Sequence, residues 1–213
     1  MSTCTNQGST LPDGMPGGWA FFDTELGQCA IAWRAKGIVA LQLPEATAAT
    51  TQARLIRASG DLPEAVPPPS VAVAIQAIAA SMAGGAHALH TVVLDMSGMT
   101  DFQRRVYQAA LRIAPGQTCT YGELAAQLGG RHLARAVGQA LGRNPFAPVV
   151  PCHRVLAAGG RPGGFSAEGG IATKLRLLQS EGASLGAHAG FFDNAAPHAL
   201  DAPPSAPPQA LAE

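Results

Sequence analysis

Residues 144–155 of the chain read NPFAPVVPCHRV, a proline-punctuated stretch in which a cysteine directly precedes a histidine. Cys152 stands there in a polar, proline-flanked setting, which makes it the candidate for thiolate chemistry. The other cysteines lie far apart and form no CxxC pair, so a zinc site or a disulfide framework is not expected. They are Cys4, Cys29 and Cys119.

Helical patterns precede this stretch. Thr100-Asp101 predicts a helix start, and apolar residues follow at helical spacing until Pro115-Gly116 ends the pattern. Two short helices, Tyr121–Leu128 and His132–Leu141, are then predicted on either side of Gly129-Gly130. Such a pair is typical of a helix-turn-helix, although many helical domains contain one.

The carboxy-terminal domain is predicted over 99–185 and is mostly helical. After the cysteine it continues with a glycine-rich loop, 159–170, and a last helix, Ile171–Glu181. The remaining residues, 186–213, are dominated by Ala, Pro and His and are predicted to be a disordered tail. Residues 1–18, rich in Gly, Ser, Thr and Pro, are predicted to be a disordered leader.

The amino-terminal domain, 19–98, has a mixed pattern that predicts the α+β class. Two β-prone runs, Phe21–Phe22 into Cys29–Trp33 and then Gly37–Leu43, predict a small antiparallel meander. Helices over 46–58 and 70–82 and a strand over His90–Met96 complete the predicted elements.

The charge of the chain is zero overall but unevenly distributed. Residues 1–101 carry 4 basic and 8 acidic side chains, whereas residues 102–182 carry 10 basic and 3 acidic ones. A basic block of this size is the kind of surface that attracts a polyanion, and a merely solvated basic face is the alternative.

Composition excludes several classes of protein. With 213 residues, 47% of them hydrophobic, the chain is long enough to fold around a core, and wholesale disorder is excluded. No apolar run reaches the roughly 18 residues of a membrane span, and the first residues lack the pattern of an export signal. A soluble cytoplasmic protein without a membrane partner is therefore expected.

Five motifs in a fixed order resemble those of the O6-alkylguanine-DNA alkyltransferases, also called methylated-DNA–protein-cysteine methyltransferases. The resemblance spans about residues 100–183 and is looser before them. The motifs are Tyr121-Gly122-Glu123-Leu124-Ala125, Ala134-Arg135-Ala136-Val137-Gly138, Asn144-Pro145, Pro151-Cys152-His153-Arg154-Val155 and Leu177-Leu178-Gln179-Ser180-Glu181-Gly182. The resemblance implies an RNase H-like amino-terminal domain and a winged-helix or helix-turn-helix-like carboxy-terminal domain.

The resemblance also implies an activity: methylated-DNA-[protein]-cysteine S-methyltransferase, a DNA repair protein that moves a methyl or small alkyl group from O6 of guanine, with O4-alkylthymine as a further possible substrate, to Cys152. In the implied relay, Glu181 orients His153, and His153 deprotonates Cys152 through a water, as in a catalytic triad. We expect Cys152 and His153 not to touch, because neighbours on extended backbone point to opposite faces. An alkylated cysteine is a thioether that water does not cleave, so each molecule is expected to act once.

The implied DNA contacts lie on the helix pair. Double-stranded DNA would be bound by a monomer through the minor groove, with Arg135 inserted in place of the flipped nucleotide. The small neighbours Ala134, Ala136 and Gly138 would let the helix approach the groove, although small residues also serve helix packing. Tyr121 would turn the nucleotide's backbone and donate a proton toward the departing guanine.

The implied substrate pocket lies around the cysteine. The carbonyls of Cys152 and Val155 would accept from the guanine amine, the amide of Ser166 would donate to O6, and Leu141 and Phe165 would form apolar walls. Asn144 would hold the recognition helices against the active-site turn. The roles of two further residues stay open. Arg154 would either stabilise this turn or contact a phosphate. Lys174 would either steady the glycine-rich loop or be an exposed helical lysine.

The chain departs from the family pattern in three places. Val39 and Arg34 stand where some members carry zinc ligands, so neither a metal nor any other cofactor is expected. The loop FSAEGG, residues 165–170, is two residues longer than a common version, and Phe165 replaces a frequent tyrosine. Both changes bear on the width of the pocket.

Two other functions stay open from the residues alone. A non-catalytic DNA-binding or regulatory protein could use the same helix pair, as alkyltransferase-like relatives without the cysteine do. A thiol hydrolase built on Cys152 and His153 would turn over repeatedly and would need an acyl-substrate pocket, for which the sequence has no family pattern.

Overall fold

The computed structural model describes residues 16–85 and 89–183. The predicted leader and tail, 1–18 and 186–213, lie outside these ranges except for residues 16–18, and the first strand begins at Gly18. The limits 19–98 and 99–185 stay predictions. The architecture is mixed: a small antiparallel sheet with helices in the first part and mainly helices in the second.

The first part is built on a three-stranded antiparallel meander. The strands are β1 (Gly18–Thr24), β2 (Gly27–Arg34) and β3 (Gly37–Gln42), in the order β1-β2-β3. The prediction of one continuous β-prone run from Phe21 to Trp33 was wrong, because the chain reverses between Thr24 and Gly27. In this turn the Thr24 hydroxyl donates to the Gly27 carbonyl at 2.7 Å. Two strands therefore replace one.

Both faces of this sheet are covered. On one side Leu55, from helix α1 (Ala48–Ser59), packs with Trp19 and small alanines of the strands. On the other side helix α2 (Pro69–Met82) contributes Val71 and Ile78 to a larger cluster around Trp33. The two predicted helices are confirmed within two residues of their limits.

The strand predicted over His90–Met96 is wrong. Leu89–Thr91 forms a 3-10 turn, and only one residue pair bridges the segment to the sheet, Leu94 with Ile38. Ile38 uses both its backbone groups there, donating to Val93 and accepting from Asp95. The chain then turns away, because the Asp95 carboxylate accepts the N–H of Ser97 at 2.9 Å.

The second part packs helices around its own core. Its elements are α3 (Asp101–Leu111), β4 (Cys119–Thr120), α4 (Tyr121–Gln127), α5 (Ala134–Gly142), β5 (Val155–Leu156) and α6 (Ile171–Ser180). Thr100 caps α3 as predicted, accepting the N–H of Gln103 at 3.2 Å. The helix predicted from His132 begins instead with a 3-10 turn, Arg131–Leu133, before α5.

A short parallel pairing brings two distant motifs together. Cys119 and Thr120 pair with Val155 and Leu156, so the start of α4 lies beside the segment that follows Cys152. Tyr107, Val137, Phe146 and Cys152 share the buried cluster beneath them. Within the described part of the chain, no helix has both the length and the apolar character needed to cross a bilayer.

One glycine of the meander is required by its surroundings, and its replacement should destabilise the fold. Gly37 has φ +140°, and a Cβ there would stand 2.7 Å from the Val93 carbonyl oxygen. We expect Gly37→Ala to lower the free energy of unfolding by about 2 kcal/mol or more, from strain and this clash. Urea denaturation measures it.

Gly98→Ala is the matched control, because a Cβ at Gly98 meets nothing within 4 Å. Equal midpoints for Gly37→Ala and Gly98→Ala would contradict the packing described for β3.

Candidate active site

Cys152, His153 and Arg154 form a buried 3-10 turn between Pro151 and β5. The N–H of Arg154 donates to the Pro151 carbonyl at 3.0 Å, which closes the turn. The extended backbone predicted here is therefore wrong. Successive side chains of a 3-10 turn diverge by about 120°, so Cys152 and His153 still point apart. No hydrogen bond joins their side chains in the described structure.

Asn144 fastens the segment that leads into this turn. Its amide nitrogen donates to the Val150 carbonyl at 2.8 Å, and its amide oxygen accepts the N–H of Phe146 at 3.0 Å. The same side chain also lowers the pKa of the Cys152 thiol, in opposition to burial. Asn144 thus holds the segment that leads from α5 to Cys152, and the role predicted for it against the recognition helices stays a prediction.

Glu181 lies between His153 and Arg154. The His153 Nε2 atom is 2.8 Å from Glu181 Oε1, and the Arg154 guanidinium donates to both carboxylate oxygens at 2.8 and 2.7 Å. The Glu181 side chain is only 8% exposed. The remaining Arg154 donor reaches the Ile113 carbonyl at 2.5 Å. Arg154 is therefore a buried support of the turn and is not available to a phosphate in this conformation.

These contacts determine the protonation states of Glu181 and His153. Burial alone would raise the pKa of Glu181, but the hydrogen bonds and positive charges of His153 and Arg154 outweigh it and bring the pKa to about 2. Burial lowers the pKa of His153 more than Glu181 raises it. At neutral pH the pair is therefore a carboxylate and a neutral imidazole. With Nε2–H donating to Glu181, Nδ1 holds the lone pair, and this buried atom has no partner among the described residues.

The Cys152 thiol is not activated by its surroundings alone. Burial raises its pKa above the ordinary value, although Asn144, the charge of Lys174 and nearby backbone N–H groups act in the opposite direction. Burial likewise raises the pKa of Cys29 and of Cys119 to about 11. What distinguishes Cys152 from the other described thiols is thus a neighbouring base and not a low pKa.

Lys174 is fully buried, which excludes one of the two alternatives left open for it, an exposed helical lysine. Its ammonium donates to the Val155 carbonyl at 2.7 Å and lies 5.9 Å from the centre of the Tyr121 ring. Burial lowers its pKa to about 8, while the Cys152 thiolate acts in the other direction. Lys174 therefore connects α6 with β5 and with the first residue of α4.

The residues predicted to contact DNA lie on α4 and α5, and they differ in exposure. Arg135 is exposed, and no hydrogen bond or ion pair holds it in the part of the chain that the structure describes. Ala134 and Ala136 are half-buried, and a Cβ at Gly138 would lie 3.8 Å from the Tyr121 ring. Burial and the Cys152 charge raise the pKa of Tyr121.

The predicted pocket residues are only partly close together. Leu141 and Val155 belong to the buried cluster that contains Cys152, and Phe165 packs against it. Ser166 is exposed, and with Phe165 and Asn144 it lines a neighbouring groove of about 420 Å³. The carbonyls of Cys152 and Val155 each already accept one bond, from the Val155 N–H and from Lys174. Each keeps a second lone pair.

The comparisons with known proteins point in one direction. The family model described as 6-O-methylguanine DNA methyltransferase, DNA binding domain, matches residues 101–183. The structure of Mycobacterium tuberculosis OGT in complex with DNA is similar, with a TM-score of 0.61 and 36% identity over 77% of this chain and 92% of that one. The chain belongs to the methylated-DNA–protein-cysteine methyltransferase family.

Curated relatives bear the same family name. The Mycobacterium bovis methylated-DNA–protein-cysteine methyltransferase is 49% identical over 102 residues, which are 48% of this chain and 60% of the relative. The protein of that name from Methanothermobacter thermautotrophicus is 48% identical over 93 residues, 44% of this chain and 51% of the relative. These alignments thus span little more than half the length of the curated relatives.

The sequence left the roles of Arg154 and Lys174 undecided. Their neighbours along the chain gave no signal for burial, because Arg176 stands between the buried Leu175 and Leu177 and is itself exposed. For the described residues, no cluster of three or more metal-ligating side chains is found.

The Glu181 carboxylate should make the stability of the protein sensitive to acid. Its pKa of about 2 in the folded state lies below the ordinary 4.5, so folding favours the ionised form. This stabilisation, about 3 kcal/mol, is complete above pH 4.5 and is lost as the pH falls toward 2. Urea unfolding between pH 6 and pH 3 measures it.

Glu181→Gln serves as the comparison. Its free energy of unfolding should be lower at neutral pH, because Arg154 is left buried without a counter-charge, and should change less between pH 4.5 and 3. The same acid dependence in both proteins would contradict the ion pair.

Proposed function

We propose that this protein repairs DNA by transferring a methyl or other small alkyl group from O6 of guanine irreversibly to its own Cys152. Membership of the family supports this function, and Cys152 stands in the family's motif. The observation that carries the proposal is the arrangement of His153. Glu181 binds one ring nitrogen, and the other is a buried, unpartnered base.

The proposed reaction is a displacement at a saturated carbon. His153 takes the proton of the Cys152 thiol through a water, and the sulfur attacks the alkyl carbon. The carbon–sulfur bond forms as the carbon–O6 bond breaks, and its electron pair stays on the guanine. The Tyr121 hydroxyl supplies the proton that the departing base takes up. Glu181 stays ionised and stabilises the imidazolium that forms.

The product limits each molecule to one reaction. A thioether has no activated carbonyl, so no water or internal group regenerates the cysteine. Membership of the family argues against the thiol hydrolase, for whose acyl-substrate pocket the sequence has no family pattern. The presence of Cys152 beside the buried base His153 argues against the non-catalytic DNA-binding alternative, since such a protein has no need of this pair.

We propose that the lesion reaches Cys152 by leaving the duplex. Arg135, which is exposed at the start of α5 and has no partner among residues 16–85 and 89–183, fills the gap, and the small residues Ala134 and Ala136 let that helix enter the minor groove. Seven of the ten basic residues between 102 and 182 are exposed, including Arg131, Arg135 and Arg143, whereas Arg154 and Lys174 are buried. The surface charge is thus smaller than the sequence count indicates, yet still basic.

The flipped guanine would lie between Tyr121 and the glycine-rich loop. In this proposal the carbonyls of Val155 and Cys152 accept from its amine, the amide of Ser166 donates to O6, and Leu141 and Phe165 flank its ring.

We further propose a monomer that acts in the cytoplasm without metal or cofactor. Its first part would be RNase H-like and its second part winged-helix-like. The three-stranded meander and the α4–α5 pair support these two fold names.

The proposed function is tested by intact mass. After incubation with an oligonucleotide duplex containing O6-methylguanine, we expect each protein molecule to gain one methyl group, which peptide mapping places on Cys152. Cys152→Ala should still bind the modified duplex and gain nothing. Methyl on another residue would overturn the role of Cys152, and repeated turnover would favour the hydrolase.

A second prediction concerns Arg135. Extrusion of a base costs a few kcal/mol, so we expect Arg135→Ala to slow transfer from duplex at least about tenfold and to leave transfer from free O6-methylguanine unchanged. Arg176→Ala, an exposed arginine on α6, is the matched control. Equal losses with duplex and free base would count against insertion of Arg135 into the stack.

A further inference from the structure

The glycine-rich loop that carries Ser166 has little structure of its own. Six of its twelve residues between 159 and 170 are glycine, and five of these glycines have positive φ. Such a segment samples many conformations unless it is held from outside. Ser166 itself is exposed, so burial does not fix it.

Arg54 of α1 reaches this loop from the other part of the molecule. Its Nη2 atom donates to the Ser166 carbonyl at 2.8 Å, across 112 positions of sequence. Over residues 162–166, this is the only hydrogen bond found in the structure as described. Phe165 adds apolar packing against both main clusters. One side chain of the amino-terminal part therefore fixes the peptide that follows Ser166.

Arg54 is itself held in place. Its Nη1 atom donates to Glu45 Oε1 at 2.6 Å, and the Gln42 amide donates to the same oxygen at 2.8 Å. The Glu45 side chain is only 6% exposed, and its backbone N–H donates to the Thr51 hydroxyl at 3.0 Å. The guanidinium thus spans a fixed carboxylate and the loop carbonyl, a geometry that its planar fork suits and that one ammonium does not reproduce.

We infer that Arg54 is a positioning residue for alkyl transfer, which acts by holding the loop so that the Ser166 amide faces O6 of the substrate. The inference rests on the proposed function, in which that amide donates to O6. Because the hydrogen bond to O6 strengthens as negative charge develops on the departing guanine, a misplaced Ser166 slows the chemical step more than it weakens DNA binding.

The test compares Arg54→Met with Arg57→Met. Arg57 lies one turn further along α1, is exposed and has no hydrogen bond to the loop in the described structure, which makes it the matched control. With labelled duplex in single-turnover reactions, we expect the maximal transfer rate to fall about tenfold in Arg54→Met only. The dissociation constant for duplex should stay unchanged in both variants.

Two further measurements separate positioning from a general structural effect. Arg54→Lys should recover part of the rate, since lysine can donate to the Ser166 carbonyl but does not also hold Glu45. The loss in Arg54→Met should be the same for free O6-methylguanine as for duplex, and smaller for the S6-methyl thioether analogue, because sulfur is a weak acceptor. An equal loss with the analogue would overturn the assignment to the Ser166 amide.

The outcomes distinguish the two proposals. A wild-type protein that transfers methyl, together with an Arg54→Met variant of unchanged rate, overturns the inference and leaves the function standing. A wild-type protein that takes up no methyl overturns both. If Arg54→Met melts at a lower temperature than Arg57→Met, Glu45→Gln provides the second test, because it keeps Arg54 and removes the negative charge that holds it. A wild-type transfer rate in Glu45→Gln would also count against the inference.

Discussion

The buried carboxylate of Glu181 is the interaction on which the site depends. It accepts from Arg154 and pairs with His153, and Arg154 in turn reaches the carbonyl of Ile113 behind α3. These contacts therefore connect the end of α6 with the cysteine turn and with the end of α3. A buried charge that loses its partner is strongly destabilising, so the group that orients the base also holds the fold together.

The buried environment of Cys152 protects its thiol from side reactions. Burial holds Cys152 protonated, and the thiolate is the form that oxidants and metals attack. In the proposed reaction, a neutral His153 beside an ionised Glu181 removes the proton only when the substrate is bound. A protein that is consumed by a single transfer, as we propose, gains from this arrangement, because a permanently ionised thiol would be lost to side reactions before it met a lesion.

Much of this was predictable from the sequence, and the rest depends on tertiary contacts. The Thr100 cap, the helix pair and the cysteine motif follow from local pattern and from resemblance. The segment His90–Met96 has the apolar residues of a strand. It forms none, because it pairs with the sheet only at Ile38. Arg154 and Lys174 could not be assigned from spacing, since their burial depends on Glu181 and on the Val155 carbonyl, which other elements bring to them.

The family model matches residues 101–183, yet the amino-terminal part holds both ends of the active-site region. The N–H of Leu41 in β3 donates to the Pro145 carbonyl at 2.7 Å, at the start of the segment that leads to Cys152. Val149 and Leu177 are buried in the cluster around the sheet, and Arg54 reaches the loop at Ser166. The meander and α1 therefore do more than flank the helical part. They form the surface against which its irregular, proline-rich and glycine-rich segments adopt one conformation, because such segments have few backbone hydrogen bonds of their own.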